Sequence, residues 1–146
     1  MNDRLRTLRQ LEHQLGILIR RVKRALAERA ALVHPSLLPT SYVVLAWLLD
    51  SGPRRSSEIA DAFDLDKGAV SRQVHLLVEL GLVDRQADPG DGRATLLTAT
   101  EEARRRMADV GEKRLAELAA RLSDWSEDEL ESLVATFARY NDALER

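Results

Sequence analysis

Apolar residues near the start of the chain recur as Leu8, Leu11, Leu15, Leu18, Val22 and Leu26, at steps of three, four, three, four and four. That spacing keeps them on one side of a helix and predicts a helical element from about Leu5 to Ala31. Leu5, Ile17 and Ile19 widen the stripe beyond what one neighbouring helix covers. His34-Pro35 ends it, because a residue before proline is pushed out of the helical region. A second helix is expected after Pro39-Thr40-Ser41, from Tyr42 to Asp50, with Val44, Leu45, Leu48 and Leu49 on its buried side. Ser51-Gly52-Pro53 supplies the stop, glycine at the left-handed position and proline beyond it.

The middle of the chain changes rhythm. Ser56 or Ser57 is expected to cap a short third helix ending near Phe63, with Ile59, Ala60 and Phe63 facing inward. Asp64-Leu65 makes the turn. Asp66 caps a fourth helix from Lys67 to about Leu80, which Gly81 ends. Two helices joined by so short a turn make a helix-turn-helix. From Leu82 to Thr98 the pattern becomes two short strands around Asp88-Pro89-Gly90-Asp91-Gly92, with Arg93 just past the tip and Pro89, Gly90 and Gly92 shaping the turn. Thr100 then caps a long helix through Leu115, Leu118 and Leu122, and Ser126-Glu127-Asp128-Glu129 is a capping-box pattern. In the last helix Leu130, Leu133, Phe137, Tyr140 and Leu144 repeat at three, four, three and four.

The expected fold class is therefore mainly α with a small β wing. Residues 1–35 and 101–146 read as a helical dimerisation region, and 36–100 as a winged helix-turn-helix lobe. The terminal stripes have two explanations: they pack on each other within one subunit, or they interlock with those of a second copy. Their length and the thinness of the lobe between them favour a homodimer, which is also how helix-turn-helix proteins usually reach two half-sites.

Composition narrows the class of function. Of the 146 residues 32% are charged and 4% aromatic, which suits a mostly helical protein. No apolar run approaches the ~18 residues of a membrane span, and the start lacks a signal peptide's apolar block, so a cytoplasmic location is expected. The absence of cysteine rules out disulfides and thiolate metal sites. His13, His34 and His75 lie far apart with no partner at metal-ligand spacing, and no phosphate loop or nucleophile elbow is present. No enzyme activity and no cofactor are expected. The net charge of −2 is unevenly spread: residues 1–34 carry +5, 53–99 carry −2 and 100–146 carry −4. A weakly acidic lobe counts mildly against nucleic acid as a partner.

The fourth helix nevertheless has two distinct faces. Val70, Val74, Leu77 and Val78 fall on one side; Lys67, Ser71 and His75 fall on another at i, i+4 and i+8, flanked by Gly68 and Arg72. The polar side suits a major groove, where lysine or arginine reads guanine and serine or histidine reaches bases or phosphates. Gly68 at the helix start allows close approach of the backbone to a phosphate. An ordinary solvated face explains the same pattern, but its place between a tight turn and the hairpin favours a DNA-reading role. Arg93 is either a solvated loop arginine or a wing-tip group for the minor groove, with Asp91 holding its guanidinium. Arg54 and Arg55 suit phosphate contacts, although a solvated pair is nearly as good an explanation.

In this order and spacing the motifs resemble those of the MarR family of winged helix-turn-helix regulators. The residues that carry the resemblance are Asp84-Arg85, Asp88-Pro89, Asp91, Arg93-Ala94 and Thr100, with Glu58-Ile59-Ala60, Val70-Ser71-Arg72 and Leu80-Gly81-Leu82-Val83 upstream. The resemblance implies an obligate homodimer on a palindromic operator in double-stranded DNA. By carry-over, Lys67, Gly68, Ser71, Arg72 and His75 face the major groove, and Arg93, supported by Asp91, enters the minor groove. It also implies a repressor released by a small aromatic or anionic effector, for which the junction of the first, second and fifth helices is the expected place. Arg54-Arg55 depart from an apolar residue followed by a capping threonine, Gln86 replaces a second arginine, and Ala99 replaces a leucine. The rival expectation is a winged helix used for protein–protein association, as an anti-repressor or adaptor without DNA binding.

Overall fold

The computed structural model describes residues 3–145. In chain order the elements are α1 (Asp3–Val33), α2 (Pro39–Ser51), β1 (Arg54–Arg55), α3 (Ser56–Phe63), α4 (Lys67–Glu79), β2 (Val83–Asp88), β3 (Asp91–Ala99), α5 (Glu101–Arg121) and α6 (Glu127–Leu144). The fold is mainly helical with a small antiparallel wing, in agreement with the periodicity. β1 is an addition: two residues pair with Leu97 and Leu96 of β3, giving a three-stranded sheet in the order β1-β3-β2.

The chain divides into two units, one through Val110 and the other from Gly111, so the boundary falls within α5. The core of the first unit gathers Ala30 and Val33 of α1, Val44, Leu45 and Leu48 of α2, Ile59 of α3, Val70, Val74 and Leu77 of α4, and Leu82, Val83 and Leu97 around the sheet. Leu49 and Val78 sit at its margin, half-buried. The apolar side of α4 is thus the buried one, which fixes the opposite side toward solvent.

Local chemistry sets the boundaries. Proline at the start of α2 has no N–H to leave unpaired. Asp64, at φ 50° and ψ 49°, closes α3 in the left-handed region, where aspartate is tolerated better than most residues. Asp66 Oδ1 accepts the Ala69 N–H at 2.7 Å and opens α4. The helix ends at Gly81, whose φ of 71° favours glycine.

The start of α3 differs from expectation. Neither Ser56 nor Ser57 caps it; Arg55 occupies the N-cap position and has no acceptor to offer the helix. The pairing is made in the return direction, with Glu58 Oε2 accepting the Arg55 N–H at 2.8 Å.

Thr100 joins the wing to α5. Its Oγ1 accepts from the Ala103 N–H at 3.1 Å and donates to the Gly81 carbonyl at 2.8 Å. The α5 cap and the glycine that ends α4 therefore share one hydroxyl. Arg106 of α5 donates to the Val33 carbonyl at the end of α1, 3.1 Å away, while Glu102 holds its other edge.

In the second unit, Ser126 and Glu129 form the reciprocal capping box at the start of α6. Leu133, Val134, Phe137 and Leu144 remain exposed on that helix, as do Leu115, Leu118 and Trp125 before it. On α1, Leu5, Leu8, Leu11, Leu18, Ile19 and Val22 are exposed as well.

Candidate nucleic-acid interface

Burying Val70, Val74 and Leu77 turns the other side of α4 outward. Lys67, Gly68, Ser71, Arg72 and His75 are all solvent-exposed. A groove of about 510 Å³ runs beside them, lined by Ser56, Ser57, Ala60 and Asp61 of α3, by Lys67, Val70, Ser71 and Val74 of α4, and by Arg85, Thr95 and Leu97 of the sheet. Helix-turn-helix and wing therefore share one face. Arg85 joins Lys67 there as a second cation. The sequence places Arg85 only within the Asp84-Arg85 motif; strand alternation is the available signal for its direction, but it does not say which element the sheet faces.

Gly68 also matters within the helix. A Cβ at that position would lie 3.2 Å from Asp66 Oδ1 and 3.4 Å from Arg72 Nη1. The missing side chain leaves room for both the cap and the Arg72 guanidinium. Behind α4, the fully buried Ser41 hydroxyl of α2 donates to Gln73 Oε1, tying the helix to the core between Arg72 and Val74.

The wing turn is held by its two aspartates. Asp88 Oδ1 accepts the Gly90 N–H at 2.8 Å, and Asp91 Oδ1 accepts the Arg93 N–H at 3.0 Å. Neither Gly90 nor Gly92 has a positive φ, so side-chain acceptors rather than glycine freedom define this turn. Asp91 was expected to grip the Arg93 guanidinium and instead grips its backbone. The guanidinium itself is exposed and makes no ion pair among the described residues.

Arg54 and Arg55 are both engaged inside the lobe. The Arg54 guanidinium carbon lies 5.9 Å from the centre of the Trp47 ring, and its Nε is 3.9 Å from Glu58 Oε1. Trp47 in turn meets Phe63 edge-on, their centroids 5.7 Å apart. Arg55 binds Asp88 Oδ2 through both Nε, at 2.8 Å, and Nη2. The Gly90 N–H and the Arg55 guanidinium together hold the Asp88 carboxyl below its usual range. The same contact raises Arg55, with smaller contributions from Asp91 and Glu58.

A MarR-family model matches residues 36–94, which span most of this lobe. The uncharacterized HTH-type transcriptional regulator YxaD of Bacillus subtilis strain 168 is 32% identical over 134 residues, covering 92% of each chain. The chain belongs to the MarR family. MhqR, another HTH-type regulator of that strain, is 32% identical over 95 residues, covering 65% of this chain and 66% of its own. A MarR family protein from Bacillus stearothermophilus has the same fold at a TM-score of 0.85 and 25% identity, covering 100% of this chain and 99% of that one. RV1404 from Mycobacterium tuberculosis shares the fold at a TM-score of 0.76 and 24% identity, with 92% of each chain covered.

This MarR-family chain is a helix-turn-helix transcriptional regulator and not an enzyme. Among its described residues no helix is long and apolar enough to cross a membrane. Its departure from the usual capping threonine at Arg55 now has a structural consequence, because the residue gained a partner in the wing instead of a cap. At Gln86 and Ala99, register is kept: Gln86 pairs with Leu96, and Ala99 with Val83.

Proposed function

We propose that this regulator is a homodimer that binds a palindromic operator in double-stranded DNA, with α4 in the major groove and the wing in the minor groove. One observation carries the proposal: Lys67, Gly68, Ser71, Arg72 and His75 are exposed along α4 while Arg93, on the same lobe, has no ion-pair partner among the described residues. Lysine, arginine, serine and histidine present the donors that base edges and phosphates accept. A lone arginine on a thin hairpin fits a narrow minor groove, where negative potential is concentrated. Asp91 acts on DNA indirectly by setting the backbone that carries Arg93. Arg54 and Arg55 flank this surface as supports. A cytoplasmic location follows from this reading.

Residues 1–35 and 101–146 are assigned to dimerisation. The exposed leucines of α1 and the exposed apolar residues of α6 are more than a monomer usually leaves in water. Two copies would present two reading helices about one helical turn of DNA apart. We further assign the protein as a repressor released by a small aromatic or anionic effector. In place of the expected junction of α1, α2 and α5, we take the groove beside α4 as its site, because Lys67 and Arg85 stand there beside apolar Val70, Val74 and Leu97. An occupant there would compete with DNA for Lys67.

Selection of bound fragments from random duplex DNA tests the proposal. An enriched inverted repeat with half-site centres ~10 base pairs apart supports it. Failure to retain any duplex at low salt favours the rival, a winged helix for protein–protein association, whose support is the net charge of −2 over residues 53–99.

A further inference from the structure

Besides the backbone pairing of β1 with β3, an ion pair that bridges the outer strands of the sheet ties the wing to the helix-turn-helix. Arg55 sits on β1 and Asp88 ends β2, with β3 between them in the strand order. Backbone pairing alone is weak at this point, because the β2–β3 register shifts between Ala87 and Asp88. Both carboxylate oxygens of Asp88 are in use, one for Arg55 and the other for the Gly90 N–H that shapes the turn. Its side chain is only 13% exposed. Arg55 is anchored in its own right, since Glu58 of α3 accepts its N–H. A continuous path thus runs from the start of α3 through Arg55 and Asp88 to the turn that precedes Arg93.

We propose that Arg55 is a positioning residue of the wing: by fixing Asp88 it sets where Arg93 stands, and it acts on DNA through that carboxylate rather than by contacting a phosphate. This rests on the two-groove docking proposed above. Nε and Nη2 of Arg55 are both bound to Asp88, and Asp91 and Glu58 add to the negative charge around it, so the guanidinium edge that would grip a phosphate is already taken. Arg93, which has no such partner among the described residues, is the wing cation available to DNA.

The two roles give opposite signs for Asp88. If Arg55 binds phosphate, deleting a nearby carboxylate removes a repulsive charge and tightens binding. If Arg55 supports the wing, removing the charge alone, as in Asp88→Asn, which keeps an acceptor for the Gly90 N–H, loosens the wing and weakens binding. The test is fluorescence anisotropy of a selected duplex across a salt series, with Arg55→Ala, Asp88→Asn and the exchanged pair Arg55→Asp/Asp88→Arg. Each single substitution is expected to weaken binding about threefold to fivefold without changing the log–log salt slope, and the exchanged pair to recover part of the loss. In an Arg93→Ala background the effect of Arg55→Ala should disappear. A slope reduced by about one unit in Arg55→Ala, or tighter binding by Asp88→Asn, overturns the proposal.

Amide exchange on the free protein provides a readout independent of DNA. Faster exchange at Gly90 and Arg93 in Arg55→Ala supports the strut, and unchanged exchange overturns it. A wild-type protein that binds no duplex overturns the docking reading and the DNA half of this inference, while the exchange rates decide the Arg55 to Asp88 support separately.

Discussion

The carboxylate of Asp91 accepts the backbone N–H of Arg93 at 3.0 Å and leaves the guanidinium without an ion pair among the described residues. An aspartate two residues before an arginine looks like a side-chain ion pair, yet here it is a backbone turn. Asparagine can make the same acceptor contact. Asp91→Asn is therefore expected to keep operator affinity within about twofold, whereas Asp91→Ala frees the turn and weakens binding several-fold. Equal losses in the two variants, measured by anisotropy, would show that the charge of Asp91 matters more than its geometry.

Thr100 serves two elements through one hydroxyl. Thr100→Ala removes both the α5 cap and the link to the Gly81 carbonyl, and is expected to cost about 1–2 kcal/mol. Thr100→Ser should recover most of it. Denaturant unfolding gives the comparison directly, and an alanine variant as stable as wild type contradicts the shared role.

Ser41 holds α4 from behind. Ser41→Ala leaves Gln73 Oε1 without its donor in a half-buried site and should destabilise by about 1–3 kcal/mol. Replacing both partners, as Ser41→Ala with Gln73→Leu, should cost less than the single change, because no polar atom is then stranded. Additive losses would show that the contact is incidental.

The wing support should fail in acid. The folded-state value of Asp88 lies below its usual one, because the Gly90 N–H and Arg55 both favour the charged form. Its contribution is present above the unfolded carboxylate value and is lost as pH falls through the folded one. The stability difference between wild type and Asp88→Ala should therefore stay constant from pH 7 to about pH 5 and fade below about pH 4. Glu102, lowered by Arg105 and then Arg106, follows the same sign. A difference that grows on acidification contradicts this assignment.

Most of the fold was legible in the sequence because it depends on local signals. Leucine spacing gave α1, the buried valines of α4 gave its orientation, and Asp66, Thr100 and Ser126 marked helix starts that the structure retains. The exposed face of α4 followed from the same pattern. What escaped was non-local. β1 is two residues long and exists only because β3 lies beside it. The partner of Arg55 is 33 positions away, and that of Ser41 is 32 positions away. No periodicity encodes such pairs. The serines before Glu58 looked like caps, but the strand pairing of Arg55 moved the helix start one residue earlier.

Two-groove docking is tested most directly by titrating a selected inverted-repeat duplex with wild type and Arg93→Ala over a range of salt. The expected result is at least tenfold weaker binding by the variant, a log–log slope lower by about one unit, and an unchanged mass by light scattering. Equal affinity and slope for the two proteins would contradict the wing's place in the minor groove.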